Sequence, residues 1–356
     1  MNNTIQVALG ERSYPIVIGN GLLADINKHI KPKRVLVVTD ANVAKLWLPT
    51  LLASLEKNGT ATAVFTLPAG EATKSFAHLE ALMQWLLEQK PDRHTPLIAL
   101  GGGVVGDITG FAASILLRGV PLIQIPTTLL AMVDSSVGGK TGINTAQGKN
   151  LIGSFYQPQQ VLMDTATLAT LPEREIHAGF AEVIKYGCIA DAKFFATLEK
   201  HGMRDLPSAI ATSCNIKAAI VGQDEREEKD QRALLNFGHS FGHAMEAECG
   251  YDGKLLHGEA VAVGMVMAAE LSVRLGLCPP KYPARIKALN SANGLPVSPK
   301  EIRKHWNVDA LLNRMRGDKK NADGKIKLIL LKGIGKAVVS TQASEHDLRQ
   351  LWSDFT

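Results

Sequence analysis

Three short segments in the second half of the chain carry side chains suited to holding a metal ion and moving protons. Glu182 and Lys185 lie three residues apart in Ala181-Glu182-Val183-Ile184-Lys185, a spacing that puts both on one face of a helix. His239 and His243 stand at i and i+4 in Asn236-Phe237-Gly238-His239-Ser240-Phe241-Gly242-His243, again on one face, and His257 precedes Gly258-Glu259. A His–His–Glu set is a known catalytic zinc arrangement that leaves one coordination position open. The residue after His239 is Ser240, so the metalloprotease motif is absent. Spacing alone leaves open which two of the three histidines would join Glu182. Lys185, Lys217, Arg118 and Arg232 then read as receivers for anionic substrate groups, along with Lys140 and Lys149 of a glycine-rich stretch.

A second constellation points to a nucleotide. Gly101-Gly102-Gly103-Val104-Val105-Gly106-Asp107 follows an apolar run and opens a helical pattern, so backbone N–H groups at a helix start can cradle a pyrophosphate. The usual dinucleotide fingerprint adds an acid about 20 residues later. That neighbourhood here is Gln124-Ile125-Pro126-Thr127, which argues against an ordinary dehydrogenase of that type. Asp40 and Asn42 end an earlier strand pattern, and Gly70-Glu71-Ala72-Thr73-Lys74 opens another helix.

The elements that would position these groups fall into two rhythms. A hairpin is expected over 5–18, strands over 34–39, 61–67, 97–100 and 122–125, and helices over 43–56, 75–88 and 105–116. Such alternation predicts an α/β domain with a mostly parallel, Rossmann-like sheet and ligands beyond the strands' carboxyl ends. Between Pro126 and Pro158 the rhythm breaks into a glycine-rich stretch, expected to be functional or mobile and, with its two lysines, to bind anions. From Pro172 onward the pattern is mainly helical: 178–188, 207–223, 234–248, 258–275 and on to about 316. A strand pair at 325–331 and 336–340 follows, with a last helix over 345–352 capped by Ser344. The boundary is expected near Leu171, giving an α/β domain over 1–171 and a mainly helical one over 172–356.

Composition bounds the class. The 356 residues are 46% hydrophobic and 21% charged, a globular balance, with a net charge of +5 that is spread rather than clustered. That spread suits small anions and not nucleic acid. Cys188, Cys214, Cys249 and Cys278 form no C-x-x-C pair, which fits a reducing compartment. Residues 260–269, the longest apolar run, are about half a bilayer span, and no signal-peptide core is present. A cytoplasmic protein without membrane partners is expected.

The ordered blocks 38–43, Gly70-Glu71 with Lys74, 101–111, 126–142, 148–153, 182–187, 235–243, His257-Gly258-Glu259 and Asp318-Lys319-Lys320 resemble the 3-dehydroquinate synthase family over nearly the whole chain. One departure stands before Arg232: family members usually carry a glycine two residues earlier, where this chain has Asp230, in a run one residue longer. The resemblance implies a metal, zinc or cobalt, on Glu182, His239 and His257, with His243 near the phosphate or in proton transfer. It implies NAD along Asp40, Asn42, Glu71, Lys74, Gly103, Val104, Val105, Gly106, Asp107, Thr127, Thr128, Lys140, Lys149, Thr167, Leu168, Ala169 and Thr170. Substrate would meet Arg118, Asp134, Lys140, Asn150, Lys185, Lys217, Arg232, Asn236 and Lys319 or Lys320.

The implied reaction turns 3-deoxy-D-arabino-heptulosonate 7-phosphate into 3-dehydroquinate and phosphate. Transient oxidation by NAD makes a neighbouring proton acidic, so phosphate can leave; reduction and an intramolecular aldol closure follow. A homodimer is implied too. The rival readings are a polyol or iron-type alcohol dehydrogenase, a sister sugar phosphate cyclase with another substrate, and an inactive nucleotide-binding regulator.

Overall fold

A computed structural model describes residues 3–250, 253–316 and 326–356. It divides into two compact units: Met1–Pro172 with Lys217–Glu225, and Glu173–Ile216 with Arg226–Thr356.

In the first unit the apolar runs form one seven-stranded sheet in the order β1-β2-β9-β6-β5-β3-β4. Its strands are β1 (Asn3–Val7), β2 (Tyr14–Gly19), β3 (Arg34–Asp40), β4 (Ala61–Leu67), β5 (Leu97–Gly101), β6 (Leu122–Pro126) and β9 (Gln160–Asp164). β1 pairs antiparallel with β2, and every other neighbouring pair is parallel. Successive side chains of a strand point to opposite faces. Leu36, Val38, Leu97 and Ala99 accordingly enter one core layer, while Val35, Val37, Ile98 and Leu100 enter the other. Both faces are covered, which is why these strands read as unbroken apolar runs. The helices here are α1 (Ile26–His29), α2 (Ala41–Leu46), α3 (Leu48–Glu56), α4 (Phe76–Glu88) and α5 (Gly103–Ile115).

Three local expectations change. The helix expected over 43–56 is two helices, because Pro49 in the first turn of α3 has no N–H to continue the ladder and the chain breaks at Trp47. β9, which sequence periodicity did not reveal, inserts between β2 and β6. The glycine-rich stretch folds as a hairpin, β7 (Lys140–Thr145) with β8 (Gly148–Phe155). Gly142 faces Gly153 there, and a Cβ on Gly153 would lie 1.9 Å from the Thr141 carbonyl oxygen. Those two glycines are demanded by close backbone approach.

The second unit is mainly helical: α6 (Glu173–Ala190), α7 (Ala192–His201), the first part of α8 (Leu206–Gln223), α9 (His239–Glu248), α10 (His257–Arg274), α11 (Lys281–Ala292), α12 (Pro299–Ile302), α13 (Val308–Arg316) and α14 (Glu345–Phe355). The hairpin β10 (Leu328–Gly333) and β11 (Lys336–Ser340) completes it. Ser344 caps α14 in a capping box with Asp347, as its sequence predicts. α10 is apolar nearly all round, and residues 260–269 are buried throughout. The helix expected over 234–248 is instead a 3₁₀ turn (Arg232–Asn236) followed by α9, because Gly238 sits between them at φ +82°. Asp230 takes φ +62°, a left-handed backbone that favours glycine. Its carboxylate pairs with Lys327.

Glycines set how closely the helices approach. A Cβ on Gly258 would lie 1.8 Å from the Ala178 carbonyl oxygen, and one on Gly264 would lie 2.0 Å from that of Gly238. The start of α10 thus rests directly on α6, and its middle rests on the turn that opens α9. We expect Gly258→Ala to destabilise this unit by about 1–3 kcal/mol through overpacking. A lowered denaturation midpoint checks it, and a midpoint equal to the parent's would contradict the contact.

Candidate metal centre and nucleotide site

Glu182 lies in the middle of α6 with 0% of its side chain exposed. A buried carboxylate needs a cation or strong donors nearby. Lys185, one turn on and equally buried, forms an ion pair with Glu182 Oε2. On the other side, Oε1 lies 3.5 Å from His239 Nε2 and 3.4 Å from His257 Nε2. His239 is the first residue of α9 and His257 the first of α10. The Glu182, His239 and His257 ligand atoms all lie within 4.8 Å of one another.

A tetrahedral ion with bonds of about 2.0–2.1 Å holds its ligand atoms about 3.3 Å apart. The separations of 3.4 and 3.5 Å fit, and two imidazole nitrogens with one carboxylate oxygen are a donor set suited to a divalent transition-metal ion. His243 is exposed on the same face of α9; its ring centroid lies 5.3 Å from that of His239 and 5.8 Å from that of His257. Sequence spacing treated the three histidines alike, whereas the crossing of α10 over α9 turns two of them toward Glu182.

The His257 ring is also flanked by Glu246, whose Oε2 is 3.1 Å from Nδ1. Burial opposes a charge on this ring, but the Glu246 and Glu182 carboxylates outweigh it and push its pKa up to about 10. A cation entering here competes with that proton. Two further groups hold the start of α10. Glu259 accepts from the Leu256 N–H at 2.9 Å, and Arg174 of α6 grips Glu259 through two bonds of 2.6 and 2.8 Å. Sequence spacing did not single out Glu246, although it lies seven residues after His239 and three after His243, on their helical face.

The remaining candidates of this unit are placed as follows. Arg232 is buried, and Asn236 donates to Glu227 Oε1 and to the Ala233 carbonyl at 3.1 Å each. Lys319 and Lys320 lie outside the described residues.

In the first unit, the carboxyl ends of β3, β5 and β6 carry Asp40, Gly101 and Pro126-Thr127. Asp40 Oδ1 caps α2, accepting from Asn42 N at 2.8 Å and Val43 N at 3.1 Å. Gly102 caps α5 without a side-chain hydrogen bond, at the helix start formed by Gly103, Val104, Val105, Gly106 and Asp107. A Cβ on Gly103 would lie 2.9 Å from Ser135 Oγ. The buried hydroxyls of Thr39 and Thr127 have no hydrogen-bond partner among the described residues, whereas Thr128 Oγ1 accepts from Ala131 N at 3.1 Å. Orphaned hydroxyls at strand ends beside an open helix N-terminus suit a polar, phosphate-bearing ligand such as NAD.

Lys74 Nζ binds Asp107 Oδ2 at 2.6 Å and Asn150 Oδ1 at 2.5 Å, and Asn144 ties Glu71 to this group with a 2.7 Å bond. Burial pushes the Asp107 carboxyl up, against the pull of Lys74. Lys217 Nζ bonds Asp134 through its carboxylate and its carbonyl, at 2.5 and 2.6 Å. Lys140 begins β7 and Lys149 is the second residue of β8, and Arg118 is exposed at φ +67° beyond α5. Thr167, Leu168, Ala169 and Thr170 form a 3₁₀ turn, in which Thr167 and Leu168 are buried and Thr170 accepts from Trp47 Nε1 at 2.9 Å.

Comparison with known proteins follows the same division. A family model described as 3-dehydroquinate synthase N-terminal matches residues 64–178, and one described as 3-dehydroquinate synthase C-terminal matches residues 179–321. The chain belongs to the 3-dehydroquinate synthase family. A 3-dehydroquinate synthase of Rhodospirillum rubrum is 56% identical, over 96% of this chain and 92% of its own. Among solved structures, 2-epi-5-epi-valiolone synthase from Streptomyces hygroscopicus subsp. jinggangensis, with NAD+ and Zn2+ bound, is 30% identical with a TM-score of 0.88, covering 98% of each chain. A 2-deoxy-scyllo-inosose synthase complexed with carbaglucose-6-phosphate, NAD+ and Co2+ is 26% identical with a TM-score of 0.89, over 99% of this chain and 100% of its own.

The Lys185–Glu182 pair generates a stability prediction. Lys185→Met leaves a buried carboxylate short of a cation and costs about 3–5 kcal/mol in chelator-treated protein, while Glu182→Gln with Lys185→Met recovers most of that. Denaturant unfolding of the double variant and of each single variant checks it; additive losses would contradict the coupling.

Proposed function

We propose that the chain is a 3-dehydroquinate synthase, converting 3-deoxy-D-arabino-heptulosonate 7-phosphate into 3-dehydroquinate and phosphate in the shikimate pathway. The carrying observation is the Glu182–His239–His257 cluster, with two Nε2 atoms 3.4–3.5 Å from one buried carboxylate oxygen. The 56% identity to a 3-dehydroquinate synthase, against 26–30% to two sister cyclases, favours this substrate over theirs. No described helix is long and apolar enough to cross a membrane, and a cytoplasmic homodimer is part of the reading.

Bound NAD would supply a reversible hydride acceptor for a substrate alcohol, and a bound zinc or cobalt ion would supply Lewis acidity toward that oxygen. Glu182, His239 and His257 hold the metal. In this proposal residues 1–171 bind NAD, and 172–356 hold the metal and much of the substrate. The start of α5, from Gly103 to Asp107, receives the pyrophosphate, and the Thr127 hydroxyl donates to the cofactor. Asp40, Asn42, Glu71, Lys74, Thr128, Lys140, Lys149 and the turn Thr167–Thr170 border it. Substrate contacts are assigned to Arg118, Asp134, Lys140, Asn150 and Lys217 in the first unit, and to Lys185, Arg232 and Asn236 in the second.

Lysine and arginine cations neutralise the carboxylate and the departing phosphate, stabilising charge that grows as the phosphate leaves. Asp134, gripping Lys217, orients substrate hydroxyls. His243, exposed beside the cluster, relays protons at its ring nitrogens. These fixed contacts hold the opened chain in a pose from which the ring can close.

The test supplies the heptulosonate phosphate with catalytic NAD and zinc, and follows phosphate together with NADH absorbance. Phosphate and dehydroquinate without accumulating NADH are expected. Accumulating NADH without phosphate would instead make the chain a dehydrogenase.

A further inference from the structure

The cluster holds one carboxylate that the metal site leaves unused. Glu246 is 3% exposed, lies on α9 two turns beyond His239, and meets the His257 ring of α10. A carboxylate can only accept, so at 3.1 Å the His257 Nδ1 carries the hydrogen and donates it to Glu246 Oε2. That holds the hydrogen on Nδ1, so an ion that displaces the Nε2 proton meets a lone pair directed at the position beside Glu182.

His239 is fixed in the same sense by a weaker acceptor. Its Nδ1 is 3.2 Å from the Phe237 carbonyl oxygen, which also can only accept. Both imidazoles therefore present Nε2 to the centre, one backed by a neutral carbonyl and one by a carboxylate. A carboxylate behind a ligating imidazole locks its orientation and makes it a stronger ligand.

We propose that Glu246 is a positioning residue of the metal centre, fixing the tautomer and orientation of His257 and raising its affinity for the ion. This inference rests on Glu182, His239 and His257 holding a metal. His243, Glu246 and His257 also have ligand atoms within 4.8 Å of one another, a spacing that could admit a second ion. The direct hydrogen bond to Nδ1 speaks against it, because an imidazole ligating through both nitrogens must lose both protons.

The test measures zinc stoichiometry and Kd by chelator competition, and the visible spectrum of the Co2+-loaded protein, for the parent, Glu246→Gln, Glu246→Ala and His257→Ala. The expected result is one ion in the parent, a Kd raised about 10-fold in Glu246→Gln and about 100-fold in Glu246→Ala, with a changed Co2+ spectrum, and loss of binding in His257→Ala. A merely structural role would lower the melting temperature of chelator-treated protein while leaving Kd and spectrum at the parent's values, and would overturn the proposal. Two ions in the parent, one of them lost in Glu246→Ala, would also overturn it by making Glu246 a ligand. A parent that binds no ion overturns the metal centre and this inference with it; a parent with one ion and unaltered Glu246 variants overturns the positioning role alone.

Discussion

The second unit is organised around one buried negative charge. Glu182, in the middle of α6, has no exposure to water, and an ionised carboxylate there is tolerable only if other groups replace its hydration. Lys185 neutralises one oxygen from the same helix, and two imidazole nitrogens converge on the other. None of those imidazoles belongs to α6. Their arrival depends on two other helices beginning at that point, so the carboxylate, the starts of α9 and α10, and the packing of all three stand or fall together.

That convergence requires backbones closer than ordinary side chains permit. Gly258, directly after His257, lets α10 rest on the Ala178 carbonyl, one turn before Glu182. Gly264 meets the carbonyl of Gly238, and Gly238 itself needs φ +82° to turn the chain into α9 at His239. Each histidine of the cluster thus has a glycine beside it in the chain. Helix starts also favour convergence, since a residue in the first turn has its side chain clear of a preceding turn and free to point off the end.

Much of this was legible in the sequence. The strands β3, β5 and β6 announced themselves because both faces are buried, and Ser344 announced the start of the last helix. The Glu182–Lys185 and His239–His243 spacings gave candidate faces, and the family blocks supplied their order. Other features were not legible. Periodicity cannot distinguish His239 from His243, since both share a face and only the crossing of α10 separates them. A single helix over 43–56 looked continuous because Pro49 is tolerated in a first turn, and its effect on the turn before is tertiary. The hairpin within the glycine-rich stretch was hidden too, since Gly142 and Gly153 face each other there where the backbones leave no room for a Cβ. Glu246 escaped notice because one of two acids in a mixed helix has no signature until its ring partner is known.

The family assignment fits a chain with a His–His–Glu cluster in one unit and orphaned strand-end hydroxyls in the other. Two imidazoles and one carboxylate, His239 and His257 with Glu182, are assigned to hold the ion. X-ray absorption fine structure of the zinc-loaded protein tests this most directly. The assignment predicts a first shell of two imidazole nitrogens and one carboxylate oxygen at about 2.0–2.1 Å, with one further light atom. Three imidazoles in that shell, bringing in His243, or a shell without imidazole would contradict it.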